Sequence, residues 1–155
     1  MIARERASAR GRRAWLGGLV AACAVGWSRV AAAGSYLERA ALLLDGARRD
    51  ASALRRRITD KELARVVRRV AEARSDAAST MEIPAAVGKA HPHLLLALAA
   101  VERAAQAVLE GNVETTFERL EAVRREDSIF RAAIREAGFE VPPAPADDPR
   151  MEPRR

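Results

Sequence analysis

Cysteine, histidine and aromatic residues are scarce in this 155-residue sequence: one cysteine (Cys23), two histidines and 4% aromatics. A lone cysteine excludes an intrachain disulfide. No C-x-x-C-H segment is present, which excludes covalent haem attachment. No E-x-x-H pair is present either, which counts against the di-iron arrangement of carboxylate bundles. Serines and threonines are few, and without a thiol or a well-placed histidine they have no evident activating base. These residues give no support to an enzyme.

What the sequence does hold is alanine, leucine, arginine and glutamate. Hydrophobic residues make up 49% of the chain, and much of that share is alanine. With few aromatics and few β-branched runs, this composition points to helices. The length suits one domain.

The sequence pI near 10.8 suggests a nucleic-acid partner, but the charge is unevenly placed. Residues 1–33 hold six arginines and one acid, Glu5. Taking these from totals of 27 and 21 leaves 21 basic and 20 acidic residues, a net of +1. A nucleic-acid footprint needs a sustained basic surface, so nucleic acid is not expected as a partner.

Residues 1–33 have the three parts of an export signal. Residues 1–13 are basic and end in Arg12-Arg13; residues 14–27 are apolar but short for a bilayer span; Ala31 and Ala33 then fit the small-residue rule of signal peptidase. Gly11-Arg12-Arg13-Ala14-Trp15-Leu16 resembles a twin-arginine signal, with departures at Gly11 and Gly17, where a serine or threonine and a lysine are usual. Two alternatives remain. Val20-Ala21-Ala22-Cys23 resembles a lipobox, which would make Cys23 an acylated N-terminus. An uncleaved anchor would run from Ala14 to Ala33 with Arg29 inside it. The leading expectation is cleavage after Ala33 and a periplasmic or secreted domain; membrane contact requires lipidation of Cys23 or an uncleaved leader.

Downstream, apolar residues recur at steps of three and four, the period of amphipathic helices. Ser35-Tyr36-Leu37-Glu38 has capping-box spacing and opens a helix whose stripe is Leu37, Ala40/Ala41, Leu44, Ala47, Ala51, Leu54 and Ile58, with Gly46 as a weak point. Thr59-Asp60-Lys61-Glu62 is a second capping box after a tight turn, followed by a stripe of Leu63, Val66, Val70, Ala73 and Ala77. Residues 79–91 read as a connection containing Pro84 and Gly88. His91 then takes the N-cap position and Pro92 the first helical position. The third helix carries Leu94, Leu95, Leu98, Val101, Ala105 and Val108 and stops at Gly111-Asn112. The fourth carries Val113, Phe117, Leu120, Val123, Phe130, Ile134 and Ala137 and ends at Gly138. Residues 141–155 are Pro-rich and polar, which suits an extended or disordered tail. The expected fold is all-α: an up-and-down antiparallel four-helix bundle over residues 34–140.

Two segments are candidate sites. His91-Pro92-His93 holds both histidines and could bind Cu or Zn with help from Met81 or Glu82, although this spacing does not place two imidazoles on one helical face. Charge divides between the hairpins: net +4 over residues 34–80 and net −3 over 81–140. The positive part concentrates in Arg55, Arg56, Arg57, Arg65, Arg68 and Arg69, a candidate anion patch or one side of two complementary hairpins. Acid pairs such as Glu118/Glu121 and Glu126/Asp127 read as salt-bridging surface. The expected role is a non-catalytic accessory or protein-binding subunit of the cell envelope, bound to another envelope protein or to itself. The alternative is a periplasmic bundle that binds a small ligand or metal through His91-Pro92-His93.

Overall fold

The structure, a computed structural model, describes the backbone of residues 12–142 and the side chains of residues 33–142. The chain divides into two compact units, residues 1–32 and 33–155. Arg12, Arg13, Cys23 and Ala31 fall on helical backbone, but their side chains lie outside the described residues, as do residues 143–155 of the expected tail. Four α-helices are present and no strand occurs among the described residues: α1 Arg12–Arg56, α2 Lys61–Ser79, α3 His91–Glu110 and α4 Val113–Glu136.

In the second unit the helices form an up-and-down bundle. Asp50 of α1 pairs with Arg74 of α2, and α3 packs on both α2 and α4. Arg48 and Arg55 of α1 pair with Asp127 and Glu121 of α4 in reversed order, which makes those two helices antiparallel. The order around the bundle is therefore α1, α2, α3, α4, with α2 and α4 on opposite corners.

The helix ends follow local chemistry, with corrections to the expected positions. Ser35 is not an N-cap: it lies inside α1, where Arg39 Nε donates to its carbonyl and Arg39 Nη2 to its hydroxyl, both at 3.2 Å. In a continuing helix the downstream N–H groups bond to carbonyls four residues back, so a capping box has no open donors to satisfy. The turn near Thr59 does form, but the cap is Asp60 rather than Thr59: its Oδ1 accepts from the Leu63 N–H at 2.9 Å. A carboxylate there also faces the positive end of the helix dipole.

His91 is not an N-cap either. Ala90 occupies that position with helical dihedrals, because a single 3₁₀ turn over Ala85–Val87 leads straight into α3. The α3–α4 turn agrees with expectation. Gly111 takes a left-handed conformation (φ 75°) that favours glycine, and Asn112 caps α4 by accepting from the Thr115 N–H at 3.0 Å.

The core is made mostly of alanine, leucine and valine. On α1 the expected stripe is buried, except that Ala51 and Ile58 are partly buried, and it extends to Tyr36. On α2 the expected stripe is off by one residue: Ala64, Val67, Ala71 and Ala78 are buried, Leu63 and Val70 are half-buried, and Val66, Ala73 and Ala77 face out. One residue is a rotation of about 100°. Two polar contacts fix it, Arg74 to Asp50 on one flank and Arg68 Nη1 to Gln106 Oε1 of α3, at 3.0 Å, on the other.

On α4, Val113, Phe117 and Ala137 are exposed, whereas Thr116 and Asp127 are buried among the apolar residues. Thr116 donates to the Asn112 carbonyl at 2.7 Å. The expected tail boundary also moves, since Phe139 and Val141 pack against the core.

Gly46 has a specific role in the α1–α2 contact. A Cβ there would meet three atoms of the Arg74 guanidinium at 2.8–2.9 Å, so the bare backbone makes room for the Arg74–Asp50 pair. Gly46→Ala should therefore give less than the roughly 1 kcal/mol that helix propensity alone predicts. In an Arg74→Ala background it should give that full gain. Denaturant titration of the four proteins in the cycle measures both values; equal gains in the two backgrounds would show that Arg74 does not need the space.

Candidate binding groove between α1 and α4

Two arginines of α1 face carboxylates of α4: Arg48 faces Asp127 and Arg55 faces Glu121. Asp127, buried on α4, accepts from Arg48 Nε at 3.0 Å and from Arg131 Nε at 3.1 Å, so one carboxylate holds two guanidinium groups. About two turns away, Glu121 pairs with Arg55 and lies 3.4 Å from Arg124. The bonded Arg55 guanidinium, aided by the Arg124 charge, holds the Glu121 carboxyl below the usual carboxylate range. The Arg55 guanidinium carbon also sits 5.6 Å from the centroid of the Phe117 ring, within range of a cation–π contact. Phe117 remains 40% exposed.

Between these ion pairs lies a groove of about 240 Å³ with Ala51, Leu120 and Val123 as its apolar part and Arg48, Arg55 and Arg124 as its polar rim. Each of these arginines lies against a carboxylate, although Asp127 and Glu121 are each shared by two guanidinium groups. A groove edged by arginines, with the part-exposed Phe117 ring beside Arg55, suits a protein side chain or segment.

The six arginines of the candidate anion patch do not form one surface. Arg55 turns to Glu121 of α4, Arg68 to Gln106 of α3 and to Glu72, Arg65 to Glu62, and Arg57 to Asp60. Arg56 is exposed and Arg69 lies on the outer side of α2, neither with an ion pair among the described residues. The complementary-hairpin reading describes the arrangement better, because Arg48 and Arg55 of the basic hairpin join the acidic one directly.

The two histidines have separate partners. His91 is buried and its Nδ1 is 3.1 Å from the Tyr36 hydroxyl, tying the start of α3 to α1. His93 is half-buried, with Nδ1 2.8 Å from Glu126 Oε2 of α4. Met81 packs partly against the core, and Glu82 is exposed. Among the described residues no group of three or more His, Cys, Asp or Glu side chains is placed to hold a metal ion.

Sequence reasoning missed Tyr36 as the partner of His91. The available signal was its place four residues before Ala40 and eight before Leu44, on the same stripe. The outward turn of Phe117 had no such signal.

Comparison with known proteins adds no further guide to the site. No family model, curated protein or solved structure matches the chain.

The buried Tyr36–His91 pair has a pH signature. Burial raises the Tyr36 pKa to about 12 and lowers that of His91, so both groups are neutral in the fold. An imidazole depressed on folding binds fewer protons than in the unfolded chain. Its stabilising effect is full above the unfolded value of about 6.5 and is lost as pH falls through the lower folded value. Tyr36 acts in the opposite direction, with stability falling as pH rises from about 10 towards 12. Because Tyr36 is the only tyrosine, tyrosinate absorbance reads it directly. The step should come near pH 12, and His91→Gln should flatten the acid limb of stability. A Tyr36 step near pH 10 in the folded protein would contradict the buried pair.

Proposed function

We propose that this chain is exported from the cytoplasm and serves as a non-catalytic accessory subunit of the cell envelope, binding another envelope protein through the α1–α4 groove. The observation that carries the binding part is Phe117: an aromatic ring 40% exposed and within cation–π range of Arg55, one of the arginines that line the α1–α4 groove. Aromatic and arginine side chains are the residue types that dominate protein–protein hot spots. Guanidinium groups held in place by Asp127 and Glu121 add geometric selectivity. Export rests on the order of basic, apolar and small-residue segments in residues 1–33, with Arg12-Arg13 as the pathway signal and Ala31 and Ala33 marking cleavage. Acylation at Cys23 is the competing fate of the same leader and would keep the domain at the membrane.

A metal- or ligand-binding role for His91 and His93 has less in its favour, since each imidazole already has a hydrogen-bond partner on a different helix.

Three measurements test the proposal. Intact mass should give an N-terminus at Gly34, with an acylated Cys23 as the outcome that favours the lipoprotein. Replacing Arg12-Arg13 by Lys-Lys should block export, and unimpaired export would remove the twin-arginine assignment. For binding, a partner cross-linked in the envelope should be lost with Phe117→Glu and kept with Leu96→Glu, an exposed position on α3. Equal recovery with both variants would rule out the α1–α4 groove as the binding surface.

A further inference from the structure

Helix α2 has two apolar faces, and the bundle uses only one. Ala64, Val67, Ala71 and Ala78 are buried against α1 and α3. The neighbouring stripe Val66, Val70, Ala73 and Ala77, spaced four, three and four residues apart, runs along the outside. Val66 is 60% exposed, Ala73 and Ala77 are exposed, and Val70 is half-buried. At its C-terminal end the stripe opens into a cleft of about 340 Å³ shared with α1, where Leu42, Leu43 and Met81 join Ala77. Leu42 is 54% exposed. A folded monomer gains nothing from large aliphatic side chains held in water along a helical seam.

The charges beside this seam indicate what covers it. Arg65, Arg69, Glu72 and Asp76 follow the same spacing one residue back, so they form a parallel rim next to the apolar stripe. Read along α2, the rim is two positive charges followed by two negative ones. A parallel copy would set like charges together. An antiparallel copy sets the basic half of each helix against the acidic half of the other.

The register that places Arg65 opposite Asp76 of the partner subunit also places Arg69 opposite Glu72 of the partner subunit. The two-fold axis repeats both pairs. In the same register Val66 falls between Ala73 and Ala77 of the partner subunit, and those small residues leave room for it. Arg69 and Asp76 make no ion pair within the chain among the described residues, the Arg68–Glu72 pair is loose at 3.5 Å, and Arg65 has only the exposed Glu62 one turn back, which Asp76 of the partner subunit would replace. An anionic membrane is a poorer match, because half the rim is acidic.

We infer that the outer face of α2 is a homodimer interface, in which two copies pack α2 against α2 antiparallel across a two-fold axis. Val66, Val70, Ala73 and Ala77 form the seam, and Arg65, Arg69, Glu72 and Asp76 set the register. Dimerisation through this face depends neither on export nor on the α1–α4 groove. Its rim is solvent-exposed, so the association weakens with salt as the Debye length shortens.

The test is molar mass by light scattering and sedimentation on the chain as cells leave it, with helicity checked for each variant. The wild type should dimerise, and Val66→Glu should raise Kd by more than about tenfold. The double variant Arg65→Glu/Arg69→Glu has a wholly acidic rim, and Glu72→Arg/Asp76→Arg a wholly basic one. Each alone should be monomeric, and the two mixed should form a one-to-one heterodimer. A monomeric wild type, a dimer indifferent to Val66→Glu, or two double variants that fail to associate when mixed would each overturn the α2 interface. A partner retained by Phe117→Glu, with the dimer intact, would instead count against the groove alone.

Discussion

Close packing around α3 is the constraint from which the rest of this bundle follows. Half of its twenty residues are buried, and five of those ten are alanines. Small side chains let neighbouring helices approach closely, so α3 can be covered on several sides at once by α2, α4 and, through Tyr36 and His91, α1. A helix packed in this way has little room for charge, and only Glu102, Arg103 and Glu110 interrupt it. By length and composition α3 is apolar enough to cross a membrane, yet its apolar character is accounted for by its place in the core.

The charge kept off α3 collects on α1, α2 and α4, and there it sets helix rotation more than it adds stability. Partly exposed ion pairs contribute little net free energy. They act on geometry instead: Asp127 between Arg48 and Arg131 fixes which face of α4 meets α1, and Arg74 over Gly46 fixes which face of α2 meets α1. Alanine faces do not discriminate strongly between neighbouring rotations, because they lack the bulk that locks large side chains together. A core poor in aromatics thus leaves orientation to its arginines.

That division explains what could be read from the sequence. Helix number, the turn near Thr59 and the Gly111-Asn112 turn were legible because they depend on period, proline and glycine. The stripe of α1 was legible because leucine and alanine alternate there with little ambiguity. The stripe of α2 was not, since Val66 and Val70 outweigh Ala64 and Ala71 in hydrophobicity while the polar contacts of Arg68 and Arg74 select the alanine face. The N-caps at Ser35 and His91 were misread because a capping pattern is local, whereas a helix or 3₁₀ turn arriving from upstream removes the free N–H groups it would satisfy. Of the α1–α4 groove, only Arg55 was visible, as part of a run, and its pairing with Glu121 beside Arg48 and Arg124 required the fold.

The misread stripe is itself informative about assembly. A sequence pattern that is apolar at helical spacing but not used by the monomer marks either a neutral accident or a second contact. The two-plus, two-minus rim alongside it has a sense only for an antiparallel copy. Because α2 and α4 occupy opposite corners of the bundle, a two-fold contact through α2 leaves the groove beside α4 open on both subunits. Joining two such grooves in one particle raises the effective concentration of the second for any partner with two matching sites. A bundle with a modest groove and a weak self-contact can in this way bind a repetitive or dimeric partner more firmly than either surface would alone.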